Sequence, residues 1–216
     1  MSETEGGEGR REGDEVADMT PEQAARHLRV IRELMERPLR QTTRSGAAGI
    51  IAGLLALAGA GLTWRLTGGQ IVASTPQMAQ VGAVWLGVLF LATGANLLLT
   101  WRRSRQLERR YWGREQWHTA LAIAPGFVLG AALTWSLGKC GYYSTIVACW
   151  MIFYGMAVWS VGLSSPIEVK VLGAAFFLAA VLGWGWIDVH PIAALAATFG
   201  GFHLVYGAVV WVRHGG

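Results

Sequence analysis

Long apolar segments alternate with short polar ones along most of this chain. Six segments are apolar over about the 20 residues that an α-helix needs to cross the hydrocarbon layer of a bilayer. They cover residues 47–65, 80–101, 118–136, 144–163, 169–187 and 191–212. The pattern predicts an all-α polytopic membrane protein with six transmembrane helices.

Prolines mark the beginning of three of these segments. Thr75–Pro76 precedes the second segment, Ser165–Pro166 the fifth and His190–Pro191 the sixth. Proline suits the first turn of a helix, because the N–H group that it lacks would have no partner within the helix there. The three prolines therefore support the predicted boundaries.

The N-terminal part of the chain differs in character from the rest. Ten of the fourteen Asp and Glu residues lie before residue 40. Residues 1–19 are polar and have too few apolar groups to offset the entropy cost of ordering, so we expect a disordered leader. Residues 20–44 are expected to form a cytoplasmic amphipathic helix and a linker, and residues 45–216 the six-helix transmembrane domain.

The amphipathic helix, predicted at residues 20–38, begins with the signature of a capping box. In that motif the side chains of Thr20 and Gln23 would each accept a hydrogen bond from the backbone N–H of the other. One face of the helix then carries the apolar residues Ala24, Leu28, Ile31 and Met35. Oppositely charged residues four apart lie on the other face. Such a helix could lie on the membrane, pack against the cytoplasmic mouth of its own bundle, or bind a partner or a second copy.

Composition and charge agree with a membrane chain, because 53% of the residues are hydrophobic and 15% are charged. Sixteen of the eighteen Lys and Arg residues fall on one side of a six-span path, six of them between the second and third segments. Basic residues are retained on the cytoplasmic side, so both termini and the 102–117 loop are predicted to be cytoplasmic. That rule explains the arginines of the loop, and direct binding of nucleic acid is not expected.

The even-numbered segments share a weak signature when they are aligned on one glycine. The aligned glycines are Gly94, Gly155 and Gly207, and the last two are followed at the same offset by Trp159 and Trp211. Parallel repeats are a known way to build polytopic membrane proteins. The alignment predicts that the six helices form three hairpins.

Polar groups within the apolar segments are the best pointers to a site, since their burial in lipid is costly. His203 and Tyr154 lie near the middle of their segments, and Asn96 lies in the inner half of the second. Pro125 removes a backbone hydrogen bond from the third segment, which predicts a kink. With Tyr206, these residues predict a small polar cavity in the cytoplasmic half, where His203 could titrate or bind a ligand. In the structural alternative, His203 bonds to a carbonyl or to Tyr154 and holds the bundle together.

Known catalytic and metal-binding patterns do not occur. There is no HExxH, GxSxG or P-loop sequence, and no two carboxylates face each other within the apolar segments. Glu168 and Asp188 lie at segment ends, where capping and solvent would account for them. Cys140 and Cys149 lack the spacing of a metal site or a disulfide framework. An enzyme, a bound metal and a cofactor are therefore not expected.

Several sequence strings carry a family resemblance. They include Ile31–Arg37 (IRELMER), Ile152–Ala157 (IFYGMA) and Phe199–Gly207 (FGGFHLVYG). From about residue 27 onward, the chain resembles an uncharacterised family of bacterial six-span membrane proteins. The resemblance implies six helices, an inner-membrane location and an N-terminal helix attached to the first span. Family members are often encoded beside winged-helix regulators, which implies a regulatory or sensory partnership, and no catalytic residue is carried over.

Two functions of different classes stay open from the sequence. The first is a sensory, regulatory or accessory membrane protein that engages a cytoplasmic partner through residues 20–38, with a homo-oligomer as a further arrangement. The second is a small transporter or channel that uses the region of Pro125, Tyr154 and His203 as a cavity. A plain structural role in assembly is the third interpretation.

Overall fold

The computed structural model describes residues 20, 22–30, 46–69, 74–106, 114–163 and 165–214. Every regular element in these ranges is a helix, so this part of the chain has the predicted all-α class. Four helices are long and apolar enough to cross a membrane: Gly46–Thr67, Pro76–Arg102, Tyr143–Gly162 and Pro191–Arg213. They are compatible with a multi-pass membrane protein.

Residues 22–30 form helix α1, which belongs to a compact unit of its own. The backbone N–H of Thr20 donates to Oε1 of Gln23 at 2.9 Å, and the N–H of Gln23 donates to Oγ1 of Thr20 at 3.3 Å. These reciprocal bonds confirm the predicted capping box. The predicted continuation of this helix over 31–38 and the leader at 1–19 lie outside the described residues.

The second unit contains the remaining helices. The first four of them are α2 (Gly46–Thr67), α3 (Thr75–Gln106), α4 (Arg114–Lys139) and α5 (Tyr143–Gly162). Helices α3 and α4 extend into both ends of the predicted 102–117 loop, of which residues 107–113 lie outside the description. The prediction of a loop at those ends was wrong, because Arg and Gln favour helix and continue it beyond the apolar stretch.

The fifth and sixth apolar segments are divided into shorter elements. These are α6 (Ile167–Leu182), α7 (Trp184–Val189), α8 (Pro191–Leu195), a π-helical segment (Ala196–Phe202) and α9 (His203–His214). Gly183 interrupts the predicted span at 169–187 between α6 and α7. Pro191 occupies the start of α8 as predicted, whereas Pro166 lies at the N-cap, one residue before α6 begins.

Two pairs of helices cross at glycines. At the crossing of α2 and α9, a Cβ atom added to Gly207 would lie 2.5 Å from the backbone N of Ile50. At the crossing of α5 and α6, a Cβ added to Gly173 would lie 2.5 Å from the N of Trp159 and 2.8 Å from the O of Gly155. Carbon atoms do not approach backbone so closely, so both contacts require a residue without a side chain.

The three glycines behind the predicted hairpin repeat have different surroundings. Gly155 and Gly207 lie at the two crossings, but a Cβ on Gly94 would meet no atom within 4 Å. Helix α3 packs against α2 and makes few contacts with α4 among the described residues. The aligned glycines therefore do not have equivalent packing roles.

A more specific likeness relates the pair α2–α3 to the pair α4–α5. Trp85 Nε1 donates to Thr63 Oγ1 at 3.2 Å, and Trp150 Nε1 donates to Thr134 Oγ1 at 2.8 Å. Each threonine also donates to the carbonyl of the glycine four residues before it, at 2.8 and 2.7 Å. Both threonines lie in the sequence Gly-Ala-x-Leu-Thr-Trp. The same sequence thus receives the same interhelical hydrogen bond in both pairs.

Candidate functional site

The candidate site begins where the last helix changes its hydrogen-bonding pattern. Ala196–Phe202 is π-helical and leads directly into His203. It contains Gly200 and Gly201, which are weak α-helix formers, and Gly200 packs so closely on Leu57 that a Cβ would lie 2.5 Å from that side chain. Short π segments occur frequently at functional sites.

His203 and Tyr154 form a hydrogen bond between α9 and α5. The Tyr154 hydroxyl lies 2.6 Å from Nε2 of His203. The histidine is 9% exposed, so water competes little for this bond. The structure therefore brings together the two polar residues that the sequence placed near the middle of their segments. It shows the contact that the structural interpretation of His203 expected.

Aromatic rings surround this pair. Phe176 on α6 is fully buried and meets the His203 ring edge-on, with centroids 5.5 Å apart. Phe199, in the π segment, lies nearly parallel to that ring at 6.4 Å. Tyr154 contacts Phe176 at 4.8 Å. Three stretches of the chain thus enclose the histidine in apolar surroundings, which strengthens its hydrogen bond and makes any unpaired polar atom costly.

The second ring nitrogen of His203 is such an atom. Nδ1 is buried and makes no hydrogen bond to any group in the described part of the chain. The backbone of Phe199, four residues earlier in the chain, also approaches this ring. Buried polar atoms are nearly always paired. An unsatisfied imidazole nitrogen can therefore accept or donate a hydrogen bond to a small ligand, or change partner when the helix moves.

Tyr206 is also part of this region. It lies on the turn of α9 that follows His203, is half-buried, and packs against the core that includes Met151 and Phe176. On its other side, the ring approaches the place that a Cβ on Gly49 would occupy, at 3.1 Å. Tyr206 therefore lies between α2 and the aromatic core.

Asn96 and Pro125 do not take part in the described contacts of the His203 ring. Both are exposed on the surface of their helices. Trp85 of α3 contacts the aromatic core through Phe199, with ring centroids 6.0 Å apart. Asn96 comes eleven residues after Trp85, which places it about 16 Å farther along the helix axis at a rise of about 1.5 Å per residue. Pro125 lies inside α4, which runs through it without a break. The predicted kink and the cavity joining all five residues stay predictions.

The structure adds an ion pair to which sequence reasoning gave no role. Arg213 Nη1 lies 2.9 Å from Glu168 Oε1, and the Glu168 side chain is only 9% exposed. Glu168 lies in the first turn of α6, as its place at a segment end predicted, but Arg213 rather than solvent is the partner of its carboxylate. Glu168 lies at the beginning of the fifth segment and Arg213 at the end of the sixth. A six-span path puts both residues on the same side, and this placement could have predicted the ion pair from the sequence. Asp188 accepts a hydrogen bond from Ser144 at 2.5 Å.

In the described ranges, no three His, Cys, Asp or Glu residues come together in a way that could hold a metal ion. Comparison with known protein families, curated proteins and solved structures finds no match to this chain. The resemblance to a six-span family thus stays a prediction. Function must be argued from the residues themselves.

Proposed function

We propose that this is a bacterial inner-membrane protein of six spans with both termini in the cytoplasm, acting in sensing or regulation through a cytoplasmic partner. The four apolar helices supply four spans, and α4 and α6–α7 supply the other two. The placement of sixteen of the eighteen basic residues on one side supports the orientation. The Arg213–Glu168 pair supports the six-span path, because it joins two segment ends that this path assigns to the same side of the membrane.

The observation that carries the regulatory role is the exposed apolar surface of α1. Leu28 is 66% exposed and lies four residues after the half-buried Ala24 on the same face of a helix whose beginning is fixed by a capping box. Amphipathic helices bind partners by inserting residues at this spacing into an apolar groove. The mixed charges of the opposite face, such as Glu22 and Arg26, suit a protein partner better than an anionic lipid surface, which selects mostly basic helices.

We expect Leu28→Ser to abolish capture of the partner, since it removes an apolar side chain at the centre of this face. The intact protein and the variant are purified from detergent extracts of their native membranes, and the co-purifying proteins are identified by mass spectrometry. Arg26→Ser, on the opposite face of the same helix, is the matched control and should retain the partner. Identical sets of co-purifying proteins for the intact chain, for Leu28→Ser and for a chain lacking residues 1–38 would refute the proposal.

A second function, a small transporter or channel, is favoured by the unpaired Nδ1 of His203 beside the π segment. Polar residues within membrane spans commonly mark ion or proton pathways. In this case Tyr154 and His203 would exchange a proton or hold a small polar substrate, with Tyr206 toward the cytoplasmic end of α9.

For this second function we expect His203→Ala to reduce flux at least tenfold in liposomes that contain ion and pH indicators. His190→Ala is the control, because His190 is an exposed histidine at the N-cap of α8. Tyr154→Phe keeps the ring and removes only the hydroxyl, so it should give an intermediate rate. Flux that is equal in the intact protein and His203→Ala, or absent for protons and common ions, would exclude this function.

A further inference from the structure

Helix α3 carries two arginines where its apolar stretch ends. The stretch that is apolar enough to cross a membrane runs from Pro76 to Arg102, and the helix continues beyond it to Gln106. Arg102 and Arg105 are both exposed. Neither forms an ion pair with a side chain that the structure describes. Two guanidinium groups, one helical turn apart, are therefore presented beside an apolar surface.

The ring of Trp101 lies against the guanidinium group of Arg105. Its Cζ is 4.4 Å from the centroid of the tryptophan ring, which is the distance of a cation–π contact. The rule that retains basic residues on the cytoplasmic side requires charge but no such contact. The N–H groups of a guanidinium lie in its own plane, so a ring over its face leaves them free to donate. Arg105 is thus positioned for an anion before the anion binds.

The side of α3 that carries Trp101 is apolar over most of its length. It lies opposite Trp85, the residue that bonds to Thr63 and contacts Phe199, because a helix has about 3.6 residues per turn. Phe90 is 73% exposed on this side. Phe90 and Trp101 are eleven residues apart, or about 16 Å along the axis, close to half of the roughly 30 Å hydrocarbon layer. We call this side the Trp101 face, and its members are Phe90, Leu91, Leu98, Trp101 and Arg105.

We propose that the Trp101 face binds an anionic phospholipid, with the phosphate at Arg102 and Arg105 and an acyl chain along the apolar residues. Charge complementarity selects this occupant, because residues 102–115 include six arginines and two glutamates. Guanidinium groups bind phosphate oxygens through paired hydrogen bonds, and clusters of arginine beside a membrane helix attract anionic lipids. The site requires that α3 crosses a membrane. It is independent of the partner proposed for α1 and of which side of the membrane is cytoplasmic.

A similar pair of side chains at the other end of the bundle provides a control. Nζ of Lys139 lies 4.5 Å from the ring centroid of Trp135, at the end of α4. A Cβ on the neighbouring Gly138 would lie 2.7 Å from the side chain of Met78, which is near the beginning of α3 and far from its arginines. An ammonium group is a point charge and lacks the planar fork of a guanidinium. We therefore expect selective lipid binding at the arginine end.

The test is native mass spectrometry of the full-length protein in detergent, titrated with phosphatidylglycerol or with phosphatidylcholine of the same acyl chains. The intact protein should bind the anionic lipid about tenfold more tightly than the zwitterionic one. Arg102→Gln combined with Arg105→Gln should bring this ratio close to one. Arg65→Gln combined with Lys139→Gln removes the same charge from exposed residues at the other end and should keep the ratio.

Trp101→Ala keeps both arginines and removes the ring beside Arg105, so the preference should fall about threefold. Trp135→Ala is its control and should change nothing. Circular dichroism checks that every variant keeps the helix content of the intact protein. Excess inorganic phosphate should not displace the lipid, because the acyl chain contributes to binding.

Four results would overturn the proposal. They are equal affinity of the intact protein for the two lipids, an undiminished preference in the Arg102 and Arg105 double variant, an equal loss in the Arg65 and Lys139 double variant, and displacement of the lipid by inorganic phosphate. The third would show a dependence on net charge alone, and the fourth a simple anion site.

Discussion

Gly207→Ala is expected to lower the free energy of unfolding by about 1–3 kcal/mol, the usual cost of forcing an extra methyl group into a packed contact. The new Cβ would lie 2.5 Å from the backbone N of Ile50 and 2.8 Å from the backbone O of Gly46. Backbone atoms cannot rotate away as a side chain can, so α2 and α9 must separate. Helix association in membranes depends on such close packing, since burial from lipid adds little.

The measurement is SDS titration of the purified protein in mixed micelles, followed by tryptophan fluorescence. Gly94→Ala is the matched control, because Gly94 is also a helical glycine but has no atom within 4 Å of an added Cβ. It should leave the free energy within about 0.5 kcal/mol of the unsubstituted value. Equal losses for the two substitutions would mean that the helix crossing at Gly207 contributes nothing specific.

This comparison also tests how far sequence similarity between helices reports on packing. Gly94, Gly155 and Gly207 align in the sequence, yet only the last two lie at crossings. Glycine marks places where backbones can approach, but which neighbour approaches depends on the rotation of each helix about its axis. A linear alignment carries no information on that rotation.

The apolar pattern located four helices that are long and apolar enough to cross a membrane, since such a helix needs about 20 apolar residues. It missed the break at Gly183 and the π segment at Ala196–Phe202. Both change the hydrogen bonding of a few backbone groups without changing the average hydropathy of the segment. A proline-free Gly-Gly pair such as Gly200–Gly201 gives only a weak indication of a π turn.

The candidate site shows the same limit. Counting residues from the segment ends placed His203 and Tyr154 at similar depth, and the structure joins them at 2.6 Å. The same counting gave Asn96 and Pro125 a place in the same half of the bilayer, and both are exposed on their helices. Depth follows from the helical rise, whereas the direction in which a side chain points follows from packing against other helices. Sequence reasoning could therefore nominate these residues but not group them.

Phe176→Ala is expected to give the largest loss of stability in the aromatic core. Phe176 is fully buried and contacts Tyr154, Phe199, Phe202 and His203, with ring centroids 4.8–5.5 Å apart. Removing a buried phenylalanine costs about 3–5 kcal/mol in soluble proteins, through lost burial and the cavity that is left. Separated membrane helices still lie in lipid, so the burial part is smaller, and we expect about 3 kcal/mol, mostly from the cavity.

Phe177→Ala is the control for this substitution, since Phe177 is the next residue of α6 and is 41% exposed. It removes the same number of atoms from the outer side of the helix, where lipid can fill the space, and should cost less than about 1 kcal/mol. Both variants are compared by SDS titration with the intact protein. The loss at Phe176 should exceed that of Tyr154→Phe, because the hydroxyl contributes one hydrogen bond worth roughly 1 kcal/mol and the ring contacts remain. Equal losses of unfolding free energy for Phe176→Ala and Phe177→Ala would show that the packed rings around His203 do not determine the stability of the bundle.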